Sequence, residues 1–524
     1  MVQIAVYDTT LRDGAQSPHV RFGIKDKLTL LRMLDDYGID YVELGYPAAS
    51  EAEMKVFQEG SKLNLATNIV AFGSTHRMGV AAKDDIGMHA LVKSGAKVAC
   101  IFGKARPSHV SLQLKASLDD NLAAIADSVS YLKSQGMTVF FDAEHFFDGC
   151  GEDKAYAFSC LNVAADAGAH TLILCDTSGG AMPPDVELLT REAVKAFPGT
   201  VIGIHCHNDC GLGVANTMAA VRAGASHVQG TINGFGERTG NADLCQVLPL
   251  LGLKLGCALG TRVCKPGIKL SKTKSVSDRI FSLANVKPDK SKPFVGDYAF
   301  MHKAGMHVDA IRKGASYEHI APAAVGNDTY FVLSELSGKA NVLALLEKHG
   351  IVVDKQDPRV KALLMDVERM EAEGYGISGL PAEHELLIAK HFKALPFQLD
   401  SWRIVTEHMH GEFSECMMTG VLDGAKIEAF VSLDDNGPVD AMFVALKKLL
   451  AKYPVRGISL INYKVMIAQD KGPESSVRVY IEFKDNGHEW ATAGVSTNIL
   501  EASIEALTKG FTYHLHRKQS NVST

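Results

Sequence analysis

The first 260 residues repeat one unit eight times: a short apolar run that ends in polar or glycine residues, then a stretch with apolar positions at i, i+3 and i+4. The runs are QIAVYDTT, YVELGYP, NIVAFGS, VACIFGK, TVFFDAEHF, TLILCDTSG, VIGIHCHND and HVQGTINGFG. KDKLTLLRMLDDYG and SLDDNLAAIADSVSYLKSQG are two of the helical stretches, and most of them close on Gly, a common helix stop. Eight strand-helix units in about 230 residues predict a (β/α)8 TIM barrel over residues 1–261. An open doubly wound sheet has the same local pattern; the eight regular units favour the barrel.

A chain of 524 residues is too long for one ordinary core. From about 262 the rhythm breaks into Lys-rich and Pro-containing segments, then HKAGMHVDAIRKG and the helical stretches NVLALLEKHG and VKALLMDVERMEAEG. This predicts a mostly helical linker region over 262–399. From about 400, WRIVTEHMHGEFSECMMTGVL and SSVRVYIEFKDNGHEW read as antiparallel strands, while VDAMFVALKKLLAKY and TNILEASIEALTKGFTYHL read as amphipathic helices. Residues 400–524 are therefore expected to form a separate α+β domain in which a strands-then-helix unit occurs twice.

The net charge is -6 and no basic stripe stands out, which argues against a nucleic-acid partner. No apolar run is long enough to span a bilayer. The opening MVQIAVYDTTLRDG meets Asp8 and Arg12, so it reads as neither signal nor transit peptide. The ten cysteines are scattered, several of them inside strand-like runs, without zinc-knuckle spacing. Reduced core thiols in a cytoplasmic protein are the expectation.

A barrel demands that chemistry sit where strands end and loops begin. Polar residues crowd those ends: Asp8 to Asp13, Glu144 and His145, Asp176 to Ser178, His205 to Asp209, and Gly234 to Asn241. In His205-Cys206-His207 the period of two turns both imidazoles to one face, half of a metal site. Asp13 could add a carboxylate, giving a mixed N/O site with open positions for a Lewis-acidic divalent ion. Those positions would take a 2-keto acid through its keto and carboxylate oxygens, and Arg12 beside them would stabilise charge developing on oxygen. Taken singly, the same residues also read as buried histidines or a surface salt bridge. Glu144 at the fifth strand end could orient Arg12 or act as acid or base, or simply be a helix N-terminal charge. Thr177 offers a hydroxyl for a substrate carboxylate, or an ordinary cap. GFGERTGNADL could bind a phosphate or turn the chain, and Asn241 within it could ligate the ion through its amide oxygen.

Three motifs in order, DTTLRDGAQSP (8–18), HCHNDCGLGVAN (205–216) and NGFGERTGNADL (233–244), resemble the acyl-CoA-condensing branch of the DRE-TIM metallolyase superfamily. That branch holds the 2-isopropylmalate, homocitrate and citramalate synthases. The resemblance extends over the whole chain, and FDAEHFFDG, SYEHIAPAAVGN, VLSELSGKANV and GVSTNILEASIEAL are most similar to the citramalate synthases. The resemblance implies condensation of acetyl-CoA with pyruvate, Asp13, His205, His207 and Asn241 as ligands of a divalent ion (Zn, Mn or Mg), and Arg12, Asp13 and Glu144 as the Asp-Arg-Glu set that names the superfamily. It gives Thr177 to the carboxylate of the keto acid, and His307 and Tyr317 to proton transfer from the partner subunit of a homodimer. The last domain resembles a regulatory domain that binds an end-product amino acid, isoleucine in the citramalate case.

Two segments depart from that pattern. SPHVRFGIKDK follows Gln16 where small or acidic residues are expected near His19, and Asp435 in DDNGPVDAM stands where the loop of the family often begins with glycine. Three rival readings remain: a sister synthase using 2-ketoisovalerate or 2-oxoglutarate, a metal-dependent carbon–carbon lyase, and an inactive barrel kept as an amino-acid sensor. The long C-terminal domain argues against the lyase, and the intact Arg12, Asp13, His205 and His207 argue against the sensor.

Overall fold

A computed structural model describes residues 3–256, 258–259, 267–303, 308, 310–311, 314–315, 317–334, 337–407, 413–469 and 475–522. Its contacts divide the chain into two compact units, 1–300 with 320–328, and 301–319 with 329–524.

The first unit is the expected closed barrel. Its strands are β1 (Gln3–Asp8), β2 (Tyr41–Gly45), β3 (Asn68–Ser74), β4 (Val98–Lys104), β5 (Thr138–Glu144), β6 (Thr171–Asp176), β7 (Val201–Cys206) and β8 (His227–Gly230). Each pairs in parallel with the next, and β1 pairs with both β8 and β2, which closes the sheet. A parallel sheet covered on both faces needs apolar side chains both inward and outward. Thus Ile4, Val6, Ile202 and Ile204 join the outer core under the helices. Tyr7, Val70, Phe72, Cys100, Phe140 and Ile173 form a second cluster inside the barrel.

Local signals set the helix ends. Ser117 and Asp120 cap each other's backbone N–H at the start of Leu118–Ser134. Helix Ile24–Tyr37 stops at Gly38, whose φ of 110° is the left-handed conformation glycine adopts cheaply. The barrel unit continues past 261: helix Thr273–Ala284 is joined to the first helix by a 2.9 Å hydrogen bond between Thr273 Oγ1 and Tyr37 Oη.

In the second unit, helices Lys339–Lys348, Pro358–Glu373 and Pro381–Phe392 share a core that includes Leu346, Leu363, Val367 and Ile388. Antiparallel strands Phe397–Glu407, Phe413–Leu422 and Ala425–Asp434 then precede helix Pro438–Leu449. Strands Ser459–Gln469, Ser476–Asp485 and His488–Ser496 precede helix Ile499–Val522. This is the strands-then-helix unit, twice, as the sequence predicts. Among the described residues the cysteines are free thiols, and no helix is long and apolar enough to cross a membrane.

Candidate active site

The loop after β1 is built by short-range polar chemistry. Asp8, the last residue of β1, accepts from Thr10 N and Thr10 Oγ1, and Thr10 Oγ1 in turn accepts from Ile232 N beyond β8. The Thr9 carbonyl accepts from the backbone N–H of Arg12, Asp13 and Gly14. That tight turn holds Asp13 at the carboxyl ends of the strands. On β7, His205 points inward by the period of two. His207 follows directly, its N–H donating to Asp176 O at 3.1 Å.

Asp13, His205 and His207 are all buried, and their ligand atoms lie within 4.8 Å of one another. His205 Nε2 is 3.3 Å and His207 Nε2 3.9 Å from Asp13 Oδ2. Asn241 completes the group: its Nδ2 donates to Asp13 Oδ2 at 2.8 Å, while its Oδ1 is buried without a hydrogen-bond partner. Two imidazoles, one carboxylate and an orphaned amide oxygen are a donor set suited to a borderline or hard divalent ion. The loop allows this closeness only because residue 236 is glycine: a Cβ there would lie 2.0 Å from Asn241 Oδ1.

Burial dominates the electrostatics. It works to raise the Asp13 carboxyl, but Arg12, the His205 hydrogen bond and both imidazoles override it, and Asp13 stays far below the usual carboxylate range. His207 is pushed down to about 4 by burial and by the neighbouring His205, so its ring is neutral. Burial also works to lower His205, and the hydrogen bond and charge of Asp13 outweigh it.

Arg12 is fixed from two sides. Its Nε donates to Glu43 Oε1 at 2.5 Å, and its guanidinium carbon sits 3.7 Å from the centre of the Phe72 ring. Nη1 lies 3.5 Å from Asp13 Oδ1. Glu144 does not orient Arg12, as the sequence reading allows: it pairs with Lys104 Nζ at 2.5 Å across the β4–β5 register. Glu43, on β2, is the carboxylate that holds Arg12. Thr177 Oγ1 accepts from the backbone N–H of His145, and the Thr177 carbonyl accepts from Arg238. Tyr317 belongs to the second unit and is 53% exposed. His307 lies outside the described residues.

Residues 3–280 match the HMGL-like family, 294–374 the homocitrate synthase post-HMGL domain-like family, and 382–515 the LeuA allosteric (dimerisation) domain. The (R)-citramalate synthase of Sulfolobus acidocaldarius is 41% identical over 98% of this chain and 97% of that protein. That of Geobacter sulfurreducens is 40% identical over 99% of each. The chain belongs to the (R)-citramalate synthase family. A protein of Archaeoglobus fulgidus named a probable 2-isopropylmalate synthase is 29% identical, again over 99% of each chain. The full length of the chain is thus shared with a protein that carries the name of a sister synthase.

Four residues of this citramalate synthase family site escaped the sequence reading. Glu43 is one acid inside the apolar run YVELG, and Gln229 one amide inside HVQG. Both are fully buried. A lone polar residue in a parallel strand is itself a signal, since burial without a partner is costly. Asp142 sits in FFDAE two places before Glu144 and shares its strand face by the same period of two. Arg238, in the glycine-rich loop, donates from Nη2 to His207 Nδ1 at 2.9 Å and forks onto Asp209. Nothing in its sequence spacing announces that reach.

Proposed function

We propose that this chain is an (R)-citramalate synthase, which condenses acetyl-CoA with pyruvate and hydrolyses the resulting thioester to give citramalate and CoA, the first step of a pyruvate route to isoleucine. The observation that carries this reading is the convergence of Asp13, His205 and His207 beside a clamped Arg12 at the strand ends of the barrel.

Asp13, His205, His207 and Asn241 would hold a divalent ion (Zn, Mn or Mg), which when bound supplies Lewis-acid polarisation of the keto acid. Arg12 stabilises the oxygen that becomes negative as the new carbon–carbon bond forms. Its guanidinium is preorganised by Glu43 and Phe72, so little reorganisation is needed at that moment. Thr177 turns its hydroxyl to the carboxylate of pyruvate, its position set by the N–H of His145. Removal of the methyl proton of acetyl-CoA is assigned to Glu144 or to the pair His307 and Tyr317, the latter two supplied across a homodimer.

The LeuA-like segment 382–515 supports the dimer, and isoleucine is the effector we assign to the 400–524 region. The proposed location is the cytoplasm. The test is CoA release, followed with a thiol reagent, from acetyl-CoA with pyruvate, 2-ketobutyrate, 2-ketoisovalerate or 2-oxoglutarate. A strong preference for pyruvate supports the reading. A preference for a bulkier acid moves the chain to a sister synthase, and no release with any acid sinks it.

A further inference from the structure

Behind the donor cluster, the interior of the barrel carries a run of buried polar side chains that no step above uses. Cys100 Sγ donates to Asp142 Oδ1 at 3.2 Å, and Gln229 Nε2 donates to the same oxygen at 3.2 Å. Gln229 Oε1 lies 2.8 Å from His205 Nδ1. Cys100 and Gln229 are completely buried, and Asp142 is 4% exposed. Such groups are costly to bury unless each is satisfied, so their presence among Tyr7, Phe140 and Ile173 calls for a use.

Donor and acceptor roles along this run are forced. Asp142 offers oxygens to both neighbours, so the NH2 of Gln229 faces Asp142 and its carbonyl oxygen faces His205. An amide oxygen can only accept, so Nδ1 of His205 must carry the hydrogen. A ligating imidazole is neutral, and in the neutral ring with Nδ1–H the lone pair is on Nε2, the nitrogen that points at Asp13. With the amide turned over, its NH2 would face Nδ1, the hydrogen would move to Nε2, and the ring could no longer serve as a ligand there.

We infer that Asp142 and Gln229 are positioning residues that fix the tautomer of His205 and so prepare the ion site, with Asp142 setting the direction of the Gln229 amide and Gln229 setting the ring. This rests on the ion-binding reading of Asp13, His205 and His207. It predicts that the pair matters for ion affinity through the direction of its hydrogen bonds, not through its volume.

The test is Co2+ binding to the full-length chain, by titration against a chelator and by the visible absorption of the bound ion, with apo-protein melting as a check on folding. Gln229→Leu should weaken binding about 10- to 100-fold, the usual effect of losing such a partner. Asp142→Asn, which lets the amide turn either way, should weaken it by a smaller factor and change the spectrum. The double variant Asp142→Asn with Gln229→Glu keeps every volume and the total charge. It sends an amide NH2 from position 142 to a carboxylate oxygen at position 229, whose other oxygen again faces Nδ1–H of His205, and it should restore affinity to near the wild-type value. Wild-type affinity and spectrum in both single variants would overturn the inference while leaving the ion site standing, and so would single-variant losses that the double variant does not repair. Failure of the wild-type chain to bind Co2+ would overturn the ion-site reading and this inference with it.

Discussion

Arg12 is held by Glu43, a residue 31 positions downstream on the neighbouring strand β2, through an Nε–Oε1 contact of 2.5 Å. The Glu43 side chain has no solvent exposure and that of Arg12 only 13%. Removing one partner of such a pair strands a buried charge. Glu43→Ala should therefore cost about 3–5 kcal/mol of unfolding free energy in denaturant titrations. It should also lower kcat by about 100-fold or more as Arg12 loses its aim at the developing oxyanion. A variant of normal stability and normal kcat would remove Glu43 from the account.

Arg238 and a bound ion compete for the same imidazole. A guanidinium only donates, so its 2.9 Å contact to His207 Nδ1 leaves the ring hydrogen on Nε2, the nitrogen facing Asp13. Binding an ion through Nε2 requires Nδ1–H and hence withdrawal of Arg238. Arg238→Ala should bind Zn2+ several-fold more tightly than wild type in chelator competition. Weaker binding would mean that Arg238 supports the loaded site instead.

Asp8 has an unusual pH signature. Burial lifts its carboxyl from 3.8 to about 7, against the pull of its hydrogen bonds from Thr10. The raised folded value favours the neutral acid, so the stability it contributes is complete below about pH 4 and is lost as the pH rises to about 7. Full loss would amount to about 4 kcal/mol at most. Asp8→Asn cannot ionise, so its stability relative to wild type should rise across that window in melts at stepped pH. A constant difference between the two proteins would contradict the assignment.

If the C-terminal domain is the effector site, isoleucine should lower CoA release by the full-length enzyme, and a chain ending before residue 400 should lose that response. Inhibition that survives the truncation would place the effector elsewhere. Melting of the truncated protein shows whether its barrel unit still folds.

The barrel was legible because parallel strands buried on both faces must be apolar throughout, and eight such runs are hard to miss. The cluster of Asp13, His205 and His207 was legible for a related reason: His205 and His207 stand at period two at the end of one of those runs, and Asp13 lies in another loop of the same mouth. What the sequence hid depends on which strands become neighbours. Glu144 and Glu43 are equivalent acids on paper, and only the β1–β2 pairing brings Glu43 to Arg12 while the β4–β5 register gives Glu144 to Lys104. The Asp142–Gln229–His205 run crosses the barrel interior between β5, β8 and β7, so no spacing along the chain reports it.

The most direct measurement is the reaction itself under metal control. Enzyme stripped with chelator and then reloaded with a divalent ion is given acetyl-CoA and pyruvate, and free thiol and citramalate are quantified together. The account predicts no turnover when stripped, recovery on reloading, one citramalate for each CoA released, and no recovery in His207→Ala. Equal turnover without the ion, or CoA release with no citramalate formed, would contradict it.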